Sequence, residues 1–110
     1  MSTATQDDLL FKALADSRRR EILDLVKVGP RTTGELCRHF EGQLDRCTVM
    51  QHIGVLERAD LLLARREGRQ RWNYLNAAPF QEIYERWISS YAAPAVGLLA
   101  RLKRDLEDDG

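Results

Sequence analysis

The chain has 110 residues, 44% of them hydrophobic and 31% charged, and its 17 basic side chains balance 17 acidic ones. That is the composition of a globular chain, and the length suits one domain spanning 1–110 rather than two independent cores. The longest apolar run, Leu61-Leu62-Leu63-Ala64, falls far short of the ~20 residues of a spanning helix, so no membrane partner is expected. The segment from Met1 to Asp8 has neither the basic region nor the apolar core of a secretory leader, which points to the cytoplasm. Two cysteines do not make a disulfide framework.

The zero net charge is unevenly spread. Residues 1–16 carry −2, residues 17–72 carry +4 from twelve basic and eight acidic side chains, and residues 73–110 carry −2. A basic middle between acidic ends is compatible with a localised anion-binding surface, or with ordinary surface scatter.

In chain order, Leu9, Leu10, Ala13 and Leu14 form a short helical stripe. Asp16 is placed to cap a second helix carrying Ile22, Leu23, Leu25 and Val26, which Gly29-Pro30 stops. Thr32-Thr33-Gly34-Glu35 is a capping box opening a short helix through Phe40. Asp45 then caps a fourth helix in which Val49, Ile53 and Leu56 hold core-facing spacing, ending at Ala59-Asp60. The pattern changes to two strands, Leu61 to Arg66 and Arg69 to Asn76, around a Glu67-Gly68 turn. After Ala78-Pro79 the helical period returns with Phe80, Ile83, Tyr84, Trp87, Ile88 and Tyr91. Pro94 is expected to end or kink that helix, and Ala95, Leu98, Leu99, Leu102 and Leu106 continue the stripe before fraying into Asp108-Asp109-Gly110.

Two short helices followed at once by a hairpin are the parts of a winged helix-turn-helix. The predicted fold is mainly α with a small β-hairpin: a first helix over 35–40, a recognition helix over 46–59, a wing over about 61–76 and terminal helices over about 79–107. With Val49, Ile53 and Leu56 turned inward, Arg46, Cys47, Met50 and Gln51 face outward. Arg suits guanine, Gln suits adenine and Met suits a thymine methyl, whereas a merely solvated face needs none of these. Thr48 is a candidate phosphate contact through its hydroxyl. Arg65, Arg66, Arg69 and Arg71 crowd the hairpin tip, giving +3 over seven residues. Such like charges repel unless phosphates meet them, although charge also protects a hairpin from edge pairing. For Arg18-Arg19-Arg20 a structural role is favoured. Four of the eight aromatics (Phe80, Tyr84, Trp87 and Tyr91) lie on one ribbon, and a second copy of the chain is the simplest cover for it.

At these residues the chain resembles the ArsR-type family of bacterial winged helix-turn-helix repressors, over nearly its whole length. The marks are Leu14-Ala15-Asp16-Ser17-Arg18-Arg19-Arg20, Thr32-Thr33-Gly34-Glu35-Leu36, Thr48-Val49-Met50-Gln51-His52-Ile53, Val55-Leu56-Glu57-Arg58-Ala59 and Arg66-Glu67-Gly68-Arg69. The tail Arg86-Trp87-Ile88-Ser89-Ser90-Tyr91 looks like a subgroup without the metal sites. The resemblance implies a homodimer, formed through its N- and C-terminal helices, that holds a double-stranded operator until an unknown signal releases it. On that basis Arg46, Cys47, Met50 and Gln51 read DNA, while Leu10, Tyr84, Trp87, Tyr91, Leu98 and Leu102 form the dimer contact. Three positions depart from the family pattern: Ser17 stands for proline, Asp60 for glycine, and Gly54 for a larger residue.

The metal-sensing branch carries a Cys-x-Cys box, whereas this chain reads Glu35-Leu36-Cys37-Arg38-His39-Phe40. Cys37, His39, Cys47 and His52 are metal-capable types, yet residues two apart on a helix diverge, so neither a metal nor another cofactor is expected. A thiol switch between Cys37 and Cys47, a metal-responsive sensor, and a protein-interaction module are the alternatives to DNA binding. No phosphate-cradling loop, nucleophile elbow or paired acid and base is present to suggest an enzyme.

Overall fold

The computed structural model describes residues 3–108, with side chains over 5–92 and 97–107. They fall into two compact units that divide between Pro79 and Phe80. The first contains α1 (Thr3–Leu14), α2 (Ser17–Val28), β1 (Arg31–Thr32), α3 (Thr33–His39), α4 (Arg46–Arg58), β2 (Leu62–Glu67) and β3 (Gln70–Leu75). Each of α2, α3 and α4 starts where a side-chain oxygen accepts an otherwise unpaired backbone N–H. Asp16 accepts from Arg18 at 2.8 Å, Thr32 from Glu35 at 3.1 Å, and Asp45 from Thr48 at 2.7 Å. All three predicted caps are present.

The far end of α4 closes as a Schellman motif. Leu61 N–H donates to the Leu56 carbonyl and Asp60 N–H to that of Glu57, both at 2.9 Å. The motif needs a left-handed residue, and Asp60 supplies it at φ 62°. Aspartate adopts this conformation less readily than glycine, and the Asn76 amide donates to its carbonyl at 2.8 Å. Val49, Ile53 and Leu56 are buried with Leu36 and Phe40, so the predicted inward face of α4 is the one that packs.

The sheet has one strand more than the expected hairpin. β1 pairs antiparallel with β3, giving the order β1-β3-β2. Two residues are too few to show a period, which is why this strand escapes a pattern reading. The turn also moves by one residue. Glu67 pairs with Gln70, leaving Gly68-Arg69 as the connection, and Gly68 takes φ 62° at the first turn position, as type II′ geometry requires.

Beyond Ala78 the chain forms α5 (Ala78–Ile83), a π-helical turn (Tyr84–Ile88) and α6 (Ser89–Asp108). Pro94 does not end the helix, since α6 continues through it. A π-helical irregularity lies earlier, where the hydroxyls of Ser89 and Ser90 donate to the carbonyls of Glu85 and Trp87 at 3.1 and 2.7 Å. Such back-bonds relax regular helical pairing. Ala95's place on the stripe and the fraying of the last three residues lie outside the described side chains.

Candidate nucleic-acid interface

The helix-turn-helix is α3, a six-residue connection and α4; the wing is β2–β3. Asn73, fully buried on β3, ties the two together. Its amide donates to the Arg31 carbonyl and to the Thr33 hydroxyl, both at 3.2 Å, so the base of the wing is fastened to the start of α3. Sequence reading passed over Asn73 because a polar residue in a strand looks solvent-facing. Its position opposite both Ala64 and Arg31 is what buries it.

Between α4, the start of α3 and the wing runs a groove of about 650 Å³. Arg38, Arg46, Arg66, Arg69 and Arg71 line it beside Met50, and no carboxylate does. Arg66 and Arg71 are direct cross-strand partners, an arrangement that destabilises a hairpin. Glu57 of α4 relieves part of it, accepting from Arg71 at 2.5 and 2.6 Å. Arg46 opens α4 at the end where the helix dipole disfavours a cation. The groove therefore stores positive charge that the chain itself leaves largely uncompensated, and an incoming anion removes that cost.

The predicted reading residues share one face. Arg46, Cys47, Met50 and Gln51 are all exposed. Thr48 is half-buried, and its backbone N–H donates to Asp45 at 2.7 Å, which together with the neighbouring Thr48 hydroxyl holds that carboxyl below its ordinary value.

The wing arginines also separate. Side chains alternate along a strand, so Ala64 and Arg66 line the groove while Arg65 lies on the opposite face, where it approaches Glu67 at 3.8 Å. Arg66, Arg69 and Arg71 are brought together; Arg65 is not. Counting the tip as one cluster hid this, although the period of two would have revealed it. Arg38, which sequence reading did not single out, joins the groove from the exposed side of α3.

Within Arg18-Arg19-Arg20, Arg19 and Arg20 have the structural role favoured for the run. Arg19 donates to the carbonyls of Ala13 and Lys12 at 2.8 and 3.0 Å, and Arg20 to that of Leu14 at 2.6 Å. Cations at the C-terminal end of α1 satisfy its unpaired carbonyls and suit its dipole. Arg19 also lies 3.2 Å from His52 Nδ1 on α4. Burial raises the Asp16 carboxyl, but the Arg18 N–H and nearby cations outweigh it and leave it below its ordinary value.

Of the metal-capable types, Cys37 is half-buried and Cys47 exposed, both as free thiols, and His39 Nε2 lies 3.1 Å from Glu21. Among the described residues no group of three or more His, Cys, Asp or Glu stands together as a metal site. None of the described helices is long and apolar enough to cross a membrane.

Residues 14–65, from the end of α1 into β2, match a family model described as a helix-turn-helix domain. The transcriptional repressor SdpR of Bacillus subtilis is 33% identical over 73 residues, covering 66% of this chain and 79% of that protein. The arsenical resistance operon repressor of Staphylococcus aureus is 34% identical over 76 residues, covering 69% of this chain and 71% of that protein. The crystal structure of an ArsR family transcriptional regulator superposes with a TM-score of 0.72 at 30% identity, covering 81% of this chain and 89% of the other.

The chain belongs to the ArsR-type family. It is a DNA-binding transcriptional regulator with a winged helix-turn-helix fold. The family match covers the HTH helices and reaches into β2, the first strand of the wing; the groove is built from both.

Among the predicted dimer contacts, Tyr84, Trp87, Tyr91, Leu98 and Leu102 are each at least 47% exposed. Trp87 and Tyr91 pack edge to face with ring centroids 5.4 Å apart. Leu10 differs. At 4% exposure it is part of this chain's own core, because its position on α1 faces inward with Ala13.

Proposed function

We propose that this regulator works as a homodimeric repressor whose two copies of α4 enter successive major grooves, with each wing set against the flanking backbone. The observation that carries this reading is the groove of five arginines joining the start of α4 to the wing, with Glu57 the one carboxylate paired to any of them among the described residues. Arg46, Met50 and Gln51 address base edges, with Cys47 beside them on the same face. Arg38, Arg66 and Arg69 hold phosphates, and Arg71 is shared with Glu57. The apolar ribbon of residues 84–102 joins two copies, which sets the half-sites about 34–36 Å apart. The protein acts by binding alone, without a cofactor and without catalysis, and repression ends when a signal lowers affinity.

The test is a titration of duplex DNA at several salt concentrations. A regulator that neutralises several phosphates loses affinity steeply between about 50 and 200 mM salt. A winged module that docks on protein shows no such slope, and that result would overturn the assignment of the groove.

A further inference from the structure

Gly54 stands on the outer face of α4, three residues beyond Gln51 and four before Arg58. A Cβ added there would lie 3.3 Å from Arg58 Nη1, and 3.9 and 4.0 Å from its Nη2 and Cζ. The guanidinium is thus laid back one turn over the glycine, in space that a larger residue would fill. Cys47, Met50, Gln51, Gly54, Val55 and Arg58 line one shallow depression on this face. Arg58 is exposed and takes part in none of the ion pairs found among the described residues. The neighbouring Glu57 is engaged by Arg71.

We propose that Arg58 is a further DNA-contacting residue, a phosphate clamp on the C-terminal half of the reading helix, and that Gly54 is the seat that lets its guanidinium lie along that face. The proposal rests on the DNA-binding role of α4. A helix in a major groove has a phosphate backbone on either side, and its later turns meet that backbone rather than base edges. Guanidinium suits the task because it can hold two phosphate oxygens at once. A glycine within a helix weakens it relative to alanine, and the seat gives that weak point a purpose.

The experiment measures binding of the full chain to a fluorescein-labelled, mixed-sequence duplex of about 30 base pairs, from about 50 to 200 mM salt, with circular dichroism on each variant. Arg58→Ala is expected to flatten the slope of log affinity against log salt by about 0.9 per bound protomer, which is roughly five- to tenfold weaker binding near 0.1 M salt. Arg58→Lys keeps the slope, since one cation still meets the phosphate. Gly54→Leu displaces the guanidinium and reproduces the Arg58→Ala loss, while adding nothing further in the Arg58→Ala background. Wild-type binding that survives Arg58→Ala with an unchanged slope overturns the clamp alone. Additive losses in the double variant overturn the seat. A wild-type chain that ignores the duplex at the lowest salt removes the DNA-binding role of the groove, and this inference with it.

Discussion

In the groove between α4 and the wing, the exposed side chains are mostly cations, with Met50 and Gln70 among them, on a frame of short hydrogen bonds from the Asn73 staple to the Asp45 cap. Along residues 84–106 the exposed side chains include Tyr84, Trp87, Ile88, Tyr91, Leu98 and Leu102 on an unbranched helical run. Both surfaces are costly in isolation, for opposite reasons. Crowded cations repel one another and are relieved by an anion, with a strength that salt screens within about 10 Å at 0.1 M. Apolar area in water is relieved by more apolar area, and salt does not screen that gain. On the proposed reading, one polypeptide presents two binding surfaces that answer to different solution variables, and each should be breakable without the other.

The largest expected effect is on the apolar side. Trp87→Ala removes the largest aromatic of the ribbon and should weaken self-association by at least about 2 kcal/mol, the scale of an interface hot spot. Light scattering across a dilution series would show the shift toward monomer, with little dependence on salt. Leu102→Glu should act likewise without touching the Trp87–Tyr91 pair. Unchanged dimers in both variants would show that the ribbon serves another purpose.

Next comes base reading. Gln51→Ala should cost about 1–3 kcal/mol at particular base pairs of an operator and little elsewhere. Equal weakening on every operator variant would make Gln51 a positioning residue. Smaller per contact, and blind to sequence, is the loss from Arg66→Ala or Arg69→Ala. Each should flatten the salt slope by about 0.9 for each bound protomer and leave dimer mass unchanged. Arg65→Ala is the control from the other face of the wing, and an equal loss there would mean that the groove does not define the contact.

How much of this was legible in advance follows the range of the interactions involved. The starts of α2, α3 and α4 depend on residues two or three positions apart, so Asp16, Thr32 and Asp45 announce themselves. The inward face of α4 follows from spacing alone. Contacts that span the fold do not: Arg71 meets Glu57 across 14 positions, and Asn73 reaches Thr33 across 40. β1 exists only because β3 is there to pair with it. Leu10 looked available for a partner because a stripe shows which face is apolar, not what covers it. Arg65 lies off the groove for a different reason, since strand alternation already separates it from Arg66.

The smallest effect probes the link between the charge-bearing frame and folding. The Thr48 backbone N–H, with the Thr48 hydroxyl beside it, holds the Asp45 carboxyl below its ordinary value near 3.8, and the unfolded chain lacks this arrangement. The folded form therefore binds a proton less readily than the unfolded one. The cap's stabilisation is complete above the unfolded value and is lost as pH falls through the lower folded value. Asp45→Asn keeps an oxygen acceptor and removes the titration, so α4 should still start at residue 46 while this part of the acid sensitivity disappears from thermal melts. It also deletes a negative charge at the start of α4, beside the proposed DNA contact, so nonspecific DNA binding should tighten slightly, whereas the proposed self-association through the ribbon should not change. Tighter DNA binding with unaltered dimerisation would separate the two surfaces at their most sensitive point; a coupled change in both would show that the start of α4 communicates with the C-terminal helices.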